Sequence, residues 1–111
     1  MTEFIVLYHA PQSSREQMKN MSPEDMKTGM AAWMKWAEKC GEHLIDMGAP
    51  LDTGKHITKS ANNTSETSVG GYSILQADNI EAAEELLKGH PHLEWGDEYY
   101  IEVHEKIPLP C

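Results

Sequence analysis

The stretch from Val69 to Gln76 limits the possible folds of this chain more than any other, because two glycines lead into a short apolar run. Ile74 and Leu75 are adjacent, so in a β-strand their side chains point to opposite faces of the sheet. A strand that is apolar on both faces is expected to be covered on both sides. Gly70 and Gly71 predict a bulge in this strand or the close approach of another backbone segment.

Three more strands are predicted from side-chain alternation, at residues 3–9, 50–58 and 98–105. The first has two mostly apolar faces, with Phe4, Val6 and Tyr8 on one and Ile5, Leu7 and His9 on the other. The last carries its apolar side chains on one face, at Tyr99, Ile101 and Val103. Loops are predicted, from their composition, at residues 10–20, 59–67 and 90–97.

Two helices are predicted. The first begins after Ser22, a capping hydroxyl that is followed by a proline and two acids. Its apolar stripe advances in steps of three and four residues, through Met26, Met30, Trp33, Ala37, Cys40, Leu44 and Met47. Gly48 is the predicted end of this helix, and Gly41 is an earlier candidate. The second helix is predicted to start at Asp78 as its cap and to stop at Gly89.

The predicted order is β-α-β-β-α-β, within a single domain that spans residues 1–111. This order is typical of the α+β, ferredoxin-like sandwich, in which two helices cover one face of a four-stranded antiparallel sheet. The other face keeps apolar residues without a partner in the chain, and an open apolar face usually marks an interaction surface. We therefore expect a homodimer that pairs sheet against sheet as a dimeric α/β barrel.

The chain carries a formal net charge of −9 at pH 7. A phosphate backbone and an acidic membrane surface both repel such a chain, so neither nucleic acid nor a membrane is an expected partner.

The early apolar run Phe4–Tyr8 is too short for a signal-peptide core, and no run approaches the roughly 20 residues of a membrane span. With only two distant cysteines, Cys40 and Cys111, we expect a cytoplasmic protein without a disulfide framework.

The six histidines invite a search for acid–base chemistry, because the ordinary pKa of histidine lies near neutrality. His9 ends the first strand, and functional groups are common where strands pass into loops. Asp52, His56 and Tyr72 are candidates to approach His9 across the sheet. His9 with Asp52 is the predicted catalytic pair, and His56 and Tyr72 are candidate pocket residues. Tyr72 faces either a pocket or the dimer interface, and alternation alone does not decide which.

Trp33 and Trp36 lie on or beside the apolar stripe of the first helix, and two interpretations stay open. They either pack in the core or form an aromatic wall of a small pocket between helix and sheet.

His90 and His92 either offer two nitrogens to a metal or hold a loop in place, and His92 is also a candidate pocket residue. Two nitrogens are not a zinc signature, so no metal and no cofactor are predicted.

Several motifs resemble the YCII-related (YciI-like) family. They are Ser22-Pro23-Glu24-Asp25-Met26 followed by Ala32-Trp33-Met34-Lys35-Trp36, then Gly70-Gly71-Tyr72-Ser73-Ile74-Leu75-Gln76-Ala77, and Ile101-Glu102-Val103-His104-Glu105. The resemblance covers nearly the whole chain, with the motifs in order. It implies a dimeric α+β barrel of ferredoxin-like subunits, in agreement with the element order.

Two features of that family are missing. Many members carry Asp-Gly-Pro-Phe between the second and third strands, where residues 61–67 of this chain read Ala-Asn-Asn-Thr-Ser-Glu-Thr. The enzyme-like branch has a His–Asp pair whose histidine lies on the first helix, at a place where this chain has Trp33 and Trp36. His43 follows about three turns later and does not match. The pair is therefore not carried over to this chain.

The resemblance leaves two functional hypotheses. One is a small-molecule enzyme of the lyase, isomerase or dehalogenase kind, acting on a partly apolar substrate in a pocket of the dimeric barrel. The other is a non-catalytic dimeric module that binds a small organic ligand or a protein. A cavity lined by tryptophan, tyrosine and a histidine–carboxylate contact favours the enzyme, and a filled, dry interior favours a purely structural role.

Overall fold

The computed structural model describes residues 1–65 and 68–110. The main elements are β1 (Thr2–His9), α1 (Ser14–Lys19), α2 (Pro23–Cys40), β2 (Leu44–Pro50), β3 (Lys55–Ile57), β4 (Asn62–Thr64), β5 (Val69–Ala77), α3 (Ile80–Leu87) and β6 (Tyr100–Glu105). Short 3-10 helices lie at Gly41–His43 and Pro91–Trp95. None of the described helices combines the length and the apolar character that a membrane crossing requires.

Four strands form one antiparallel sheet in the order β2-β5-β1-β6. α2 and α3 pack on one face of this sheet, and their apolar side chains share its core. This strand order and these helices are those of the ferredoxin-like α+β fold, so the predicted fold is confirmed. β3 and β4 pair with each other as a separate two-stranded hairpin.

The core lies between the helices and one face of the sheet. β1 and β5 alternate as predicted, and the buried side chains from this face and from the helices include Phe4, Val6, Tyr8, Leu75, Trp36, Cys40 and Leu87. Ile101 and Val103 of β6 pack against this core, whereas Tyr99 precedes the strand. Burial also raises the pKa of the Cys40 thiol, which keeps it in the unreactive form.

The second strand lies earlier than predicted. β2 occupies Leu44–Pro50 rather than residues 50–58, because α2 ends at Cys40. Gly41 adopts φ +56°, a left-handed conformation that ends the helix, and a 3-10 turn then leads into β2. Leu44 and Met47 continue the helical spacing of the apolar stripe by coincidence and belong to the strand. Leu44 still packs against the core.

Three segments predicted as loops contain regular structure: residues 10–20 include α1, residues 59–67 include β4, and residues 90–97 include a 3-10 helix. The cap of α3 is Asn79, whose side chain accepts a hydrogen bond from a backbone amide, and not the predicted Asp78. Glu66 and Thr67, at the end of the predicted 59–67 connection, lie outside the described residues, as does Cys111.

Gly70 and Gly71 behave as the sequence predicts. His9 is paired with Val69 while the preceding residue of β1 is paired with Gly71, so Gly70 is the extra residue of a bulge. A Cβ atom at Gly71 would lie 3.2 Å from the carbonyl oxygen of Ala49 in β2. Both expected features, the bulge and the close backbone approach, are therefore confirmed.

Candidate functional site

A cavity of about 400 Å³ lies between α1, the first half of α2 and the helix-covered side of the sheet. Its walls are mostly thioethers and aromatic rings, contributed by Met18, Met21, Met26, Met30, Met47, Tyr8, Trp33 and Trp95. Among the described residues that border it, none is an aspartate, glutamate, lysine or arginine. The cavity is therefore an apolar site of small-molecule size.

The cavity exists because α2 packs on the core through only part of its length. In its second half, Trp36 and Cys40 are buried, whereas Met26 and Met30 in the first half are 42% and 59% exposed. Gly29 borders the cavity, and a Cβ atom on it would meet only the terminal methyl of Met21, at 3.9 Å. The first half of α2 thus forms a wall over open space rather than a packed helix face.

α1 closes the cavity on another side and is tied down at two points. The Ser14 hydroxyl donates a hydrogen bond to the Gly70 carbonyl at 2.5 Å, which joins the helix to the bulge of β5. Arg15 Nε donates to Asp52 Oδ2 at 2.8 Å, and this contact lowers the pKa of the Asp52 carboxyl. Both tethers join α1 to segments that flank the cavity.

Tyr8 provides a polar group at the cavity, but its hydroxyl is already bonded. Ser73 donates to the Met47 carbonyl at 2.7 Å, so the Tyr8 hydroxyl, at 2.8 Å, donates to Ser73 Oγ. Burial raises the pKa of Tyr8 well above its ordinary value. The phenol is therefore neutral at physiological pH.

His90 is fully buried inside an aromatic cluster. Its ring lies 5.0 Å from Tyr8, 4.6 Å from Trp33 and 4.3 Å from Trp36, between ring centroids. Nδ1 accepts a hydrogen bond from the His92 backbone amide at 3.0 Å, so the ring proton sits on Nε2, which has no hydrogen-bond partner in the described part of the chain. Burial lowers the pKa of His90 to about 3, so the ring is neutral.

His92 borders the cavity and holds the chain beside it. Its Nε2–H donates to the His9 carbonyl at 2.8 Å, which fixes the 3-10 helix against the end of β1. Burial lowers the pKa of His92, so this ring is neutral as well. His90 Nδ1 is bonded to the His92 amide and His92 Nε2 to the His9 carbonyl, so these two nitrogens are not free to bind one metal ion. Within residues 1–65 and 68–110, no group of three or more His, Cys, Asp or Glu is arranged to hold a metal.

The His9 ring lies on the opposite, open face of the sheet. Its Nδ1 is 2.8 Å from the hydroxyl of Ser68, and its Nε2 is 2.5 Å from Glu102 Oε1, an ion-pair contact without hydrogen-bond alignment. The Tyr100 ring stacks on the imidazole, with centroids 4.5 Å apart and planes within 4°. His9 is therefore only 6% exposed, although it faces the uncovered side of the sheet.

The predicted pairing of His9 with Asp52 is wrong. The carboxylate beside His9 belongs to Glu102, and Asp52 is bonded to Arg15. The cause is the position of the second strand, because β2 ends at Pro50 and leaves Asp52 in an exposed connection outside the sheet. The same displacement places His56 in the exposed β3–β4 hairpin, away from the residues that border the cavity.

The remaining predicted pocket residues are divided between the cavity and the core. Trp33, Tyr72 and His92 border the cavity. Trp36 is 4% exposed and donates from its indole nitrogen to the Leu86 carbonyl at 2.9 Å, so it links α2 to α3 in the core. Trp33 therefore forms part of the cavity wall and Trp36 packs in the core, so each of the two interpretations holds for one tryptophan.

The sequence does not indicate Glu102, Ser68 or the methionine walls as parts of a site. Glu102 falls on the polar face of β6 by alternation, but only the register of β1 with β6 brings it beside His9. Met18 lies in α1 and Met21 just after it, and the sequence does not predict this helix. The clustering of methionines indicates part of the cavity wall, since four of the seven fall between residues 18 and 30.

No family model and no curated protein matches this chain. Among solved structures, the chain is similar to a 5-chloro-2-hydroxyhydroquinone dehydrochlorinase from Burkholderia phenoliruptrix, in complex with 2,5-dihydroxybenzoquinone. The two are 16% identical, the match covers 92% of this chain and 91% of the other, and the TM-score is 0.49. The fold assignment rests on the strand order and register described above.

Proposed function

We propose that the chain is a YCII-related protein that binds a small, neutral, mostly apolar molecule in the cavity beneath α1 and α2. One observation supports this most strongly: about 400 Å³ of space is bordered by thioethers and aromatic rings, with no formally charged side chain among the described residues around it. Small-molecule sites typically enclose about 300–1,000 Å³ and are mostly apolar.

The walls of the cavity select for ligand charge and shape. An ionised group that leaves water for apolar surroundings loses several kcal/mol unless it is paired, and the bordering residues offer no partner charge. The net charge of −9 adds a repulsion for anions. Methionine side chains adapt to irregular shapes and contact aromatic rings favourably, by about 0.3–1.5 kcal/mol each. A neutral aromatic molecule therefore fits this site best.

Binding is favoured over turnover inside the cavity. An enzyme of the lyase, isomerase or dehalogenase kind needs an acid or base that is free to exchange a proton with its substrate. Among the described residues, three titratable ones border the cavity. Tyr8 and His92 are neutral, and each already donates its proton within the chain, while the side chain of Tyr72 lies beside Leu7 on the open face of the sheet. The histidine–carboxylate contact, between His9 and Glu102, lies on the opposite side of the sheet.

Titration calorimetry with methyl benzoate and benzoate tests this proposal, because the two share a ring and differ in charge. We expect methyl benzoate to bind at least about tenfold more tightly than benzoate, a difference of roughly 1.4 kcal/mol or more. Gly29→Leu should abolish the binding by filling the cavity beside Met21, and leucine suits a helix better than glycine.

Ala31→Leu is the matched control, because Ala31 lies in the same helix and is exposed. It should leave the affinity for methyl benzoate unchanged. Equal affinities for methyl benzoate and benzoate, or methyl benzoate binding that Gly29→Leu does not weaken, would contradict the proposal.

We further propose that the open face of the sheet pairs with a second copy of the chain. Ile5 is paired with Ile74 across two strands of this face, and Leu7 with Tyr72, and all four side chains are half-buried in the single chain. A contiguous apolar surface of this kind is usually covered in soluble proteins. Pairing two such faces through a two-fold axis is a self-complementary way to cover them.

Sedimentation equilibrium at micromolar concentration checks the dimer. We expect twice the chain mass for the unmodified protein and a shift to monomer for Ile74→Lys, which places a charge in the middle of the open face. Ile57→Lys is the control, because Ile57 is 72% exposed in the β3–β4 hairpin, and it should remain dimeric. A monomer from the unmodified chain would defeat this part of the proposal.

A further inference from the structure

Three polar side chains converge at one end of the open sheet face, away from the cavity. His9 and Ser68 lie past the Leu7–Tyr72 pair, at the end of the surface proposed to meet a second copy, so that contact does not need to cover them. Ser68 immediately precedes β5, His9 is the last residue of β1, and Glu102 lies in β6. The pairing of β1 with both neighbours brings these three chain segments together. The cluster is not used by the proposed ligand-binding cavity, whose bordering residues include none of the three.

Ser68 and His9 stand in the relation of a nucleophile to its base. The Ser68 hydroxyl is 2.8 Å from His9 Nδ1, within hydrogen-bond reach. Ser68 is half-buried and His9 is 6% exposed, so the hydroxyl is the more accessible partner. A buried imidazole bonded to a reachable hydroxyl can accept its proton as the oxygen attacks a substrate.

The imidazole is oriented from two further directions. Glu102 Oε1 lies 2.5 Å from Nε2, the nitrogen opposite Ser68, so a carboxylate faces the site where positive charge appears when His9 takes a proton. The Tyr100 ring stacks on the imidazole within 4° of parallel and restricts its rotation. The Tyr100 hydroxyl is 3.4 Å from Ser68 Oγ, where it can donate to an oxyanion that forms beside the nucleophile.

We infer that Ser68, His9 and Glu102 form a serine-nucleophile site that cleaves small, uncharged esters by acyl transfer. Ser68 and His9 are its catalytic residues, Glu102 is a positioning residue, and the hydroxyl of Tyr100 is the oxyanion donor. Uncharged substrates are favoured because the Glu102 carboxylate beside His9 and the net charge of −9 repel anions. The half-exposed ring of Tyr100 offers an aromatic surface beside the nucleophile.

The reaction balances without a cofactor. Ser68 Oγ forms a bond to the ester carbonyl carbon while its proton passes to His9 Nδ1, and the alcohol leaves with the electron pair of the broken C–O bond and takes that proton. Water then attacks the acyl-serine, gives one proton to His9, and leaves as part of the carboxylic acid. Ser68 recovers its proton from His9, which restores the starting state.

A fluorophosphonate probe and p-nitrophenyl acetate test the inference on the full chain. The probe should phosphonylate Ser68 with loss of fluoride, as seen by intact mass and peptide mapping. Ser68→Ala should abolish labelling and ester hydrolysis, and His9→Gln should slow both about 100-fold or more. Glu102→Gln should lower the maximal labelling rate without changing the probe concentration at half-saturation, a split that a merely structural role would not produce.

Ser60→Ala is the matched control, since Ser60 is an exposed serine at the turn of the β3–β4 hairpin. It should keep full labelling and hydrolysis. The site of labelling in the unmodified chain decides the question even if a variant fails to fold. Absence of an adduct on Ser68, an adduct that forms equally in urea-denatured protein, or hydrolysis that survives Ser68→Ala would each overturn the inference.

Discussion

Gly48→Ala is expected to prevent stable folding, at a cost of at least about 4 kcal/mol. Gly48 adopts φ +80° in β2, a conformation that side chains rarely enter. A Cβ atom there would lie 1.6 Å from the Tyr72 carbonyl oxygen and 2.6 Å from its carbon, both backbone atoms of the neighbouring strand β5. The strand pair must separate locally to admit even one methyl group. Urea denaturation followed by circular dichroism measures the loss.

Gly89→Ala separates the clash from the backbone strain. Gly89 has a similar φ of +73°, but a Cβ atom there meets nothing within 4 Å. Its substitution should therefore cost only the left-handed strain, about 1–2 kcal/mol. Equal losses in the free energy of unfolding for Gly48→Ala and Gly89→Ala would show that the backbone of β5 does not lie against Gly48.

Acid is expected to destabilise the fold through His90. Its pKa of about 3 in the folded chain lies below the ordinary value near 6.5, so the unfolded state binds the proton first as the pH falls. The free energy of unfolding should therefore hold above about pH 6.5 and decline toward pH 3, by at most about 1.4 kcal/mol per pH unit from this residue. His92, whose pKa burial also lowers, acts in the same direction.

His90→Gln isolates this effect, because glutamine keeps an acceptor for the His92 amide and does not titrate. We expect this variant to be less stable than the unmodified chain at pH 7 and to lose less stability on acidification. Urea titrations between pH 7 and pH 4, at one protein concentration, measure the difference between the two slopes. If the free energy of unfolding falls with pH at the same rate in His90→Gln and in the unmodified chain, burial does not lower the pKa of His90.

The sequence predicts the fold well where its signals are local. The alternation in β1 and β5 and the cap at Ser22 depend on neighbouring residues, and the structure agrees with each. The predicted position of β2 is wrong because Leu44 and Met47 prolong a helical spacing, while one glycine, Gly41, ends the helix. A single backbone angle thus outweighed a regular apolar pattern.

The candidate sites were harder to predict because they depend on distant segments. Glu102 reaches His9 only through the register of β1 with β6, and an alternation of side chains fixes the face of a strand but not its register with another strand. The cavity depends on α1 and on the incomplete packing of α2 against the sheet, and the composition predicts neither. Trp33 and Trp36 look alike in the sequence, and only packing assigns one to the cavity and the other to the core.

Methyl NMR of the methionines tests the central claim, ligand binding in the cavity, most directly. The chain has seven methionines, of which five border the cavity, whereas Met1 and Met34 do not. Saturating methyl benzoate should shift the methyl signals of Met18, Met21, Met26, Met30 and Met47 through its ring current and leave those of Met1 and Met34 in place. Shifts confined to Met1 and Met34, or uniform across all seven, or absent at saturation, would contradict the proposed function.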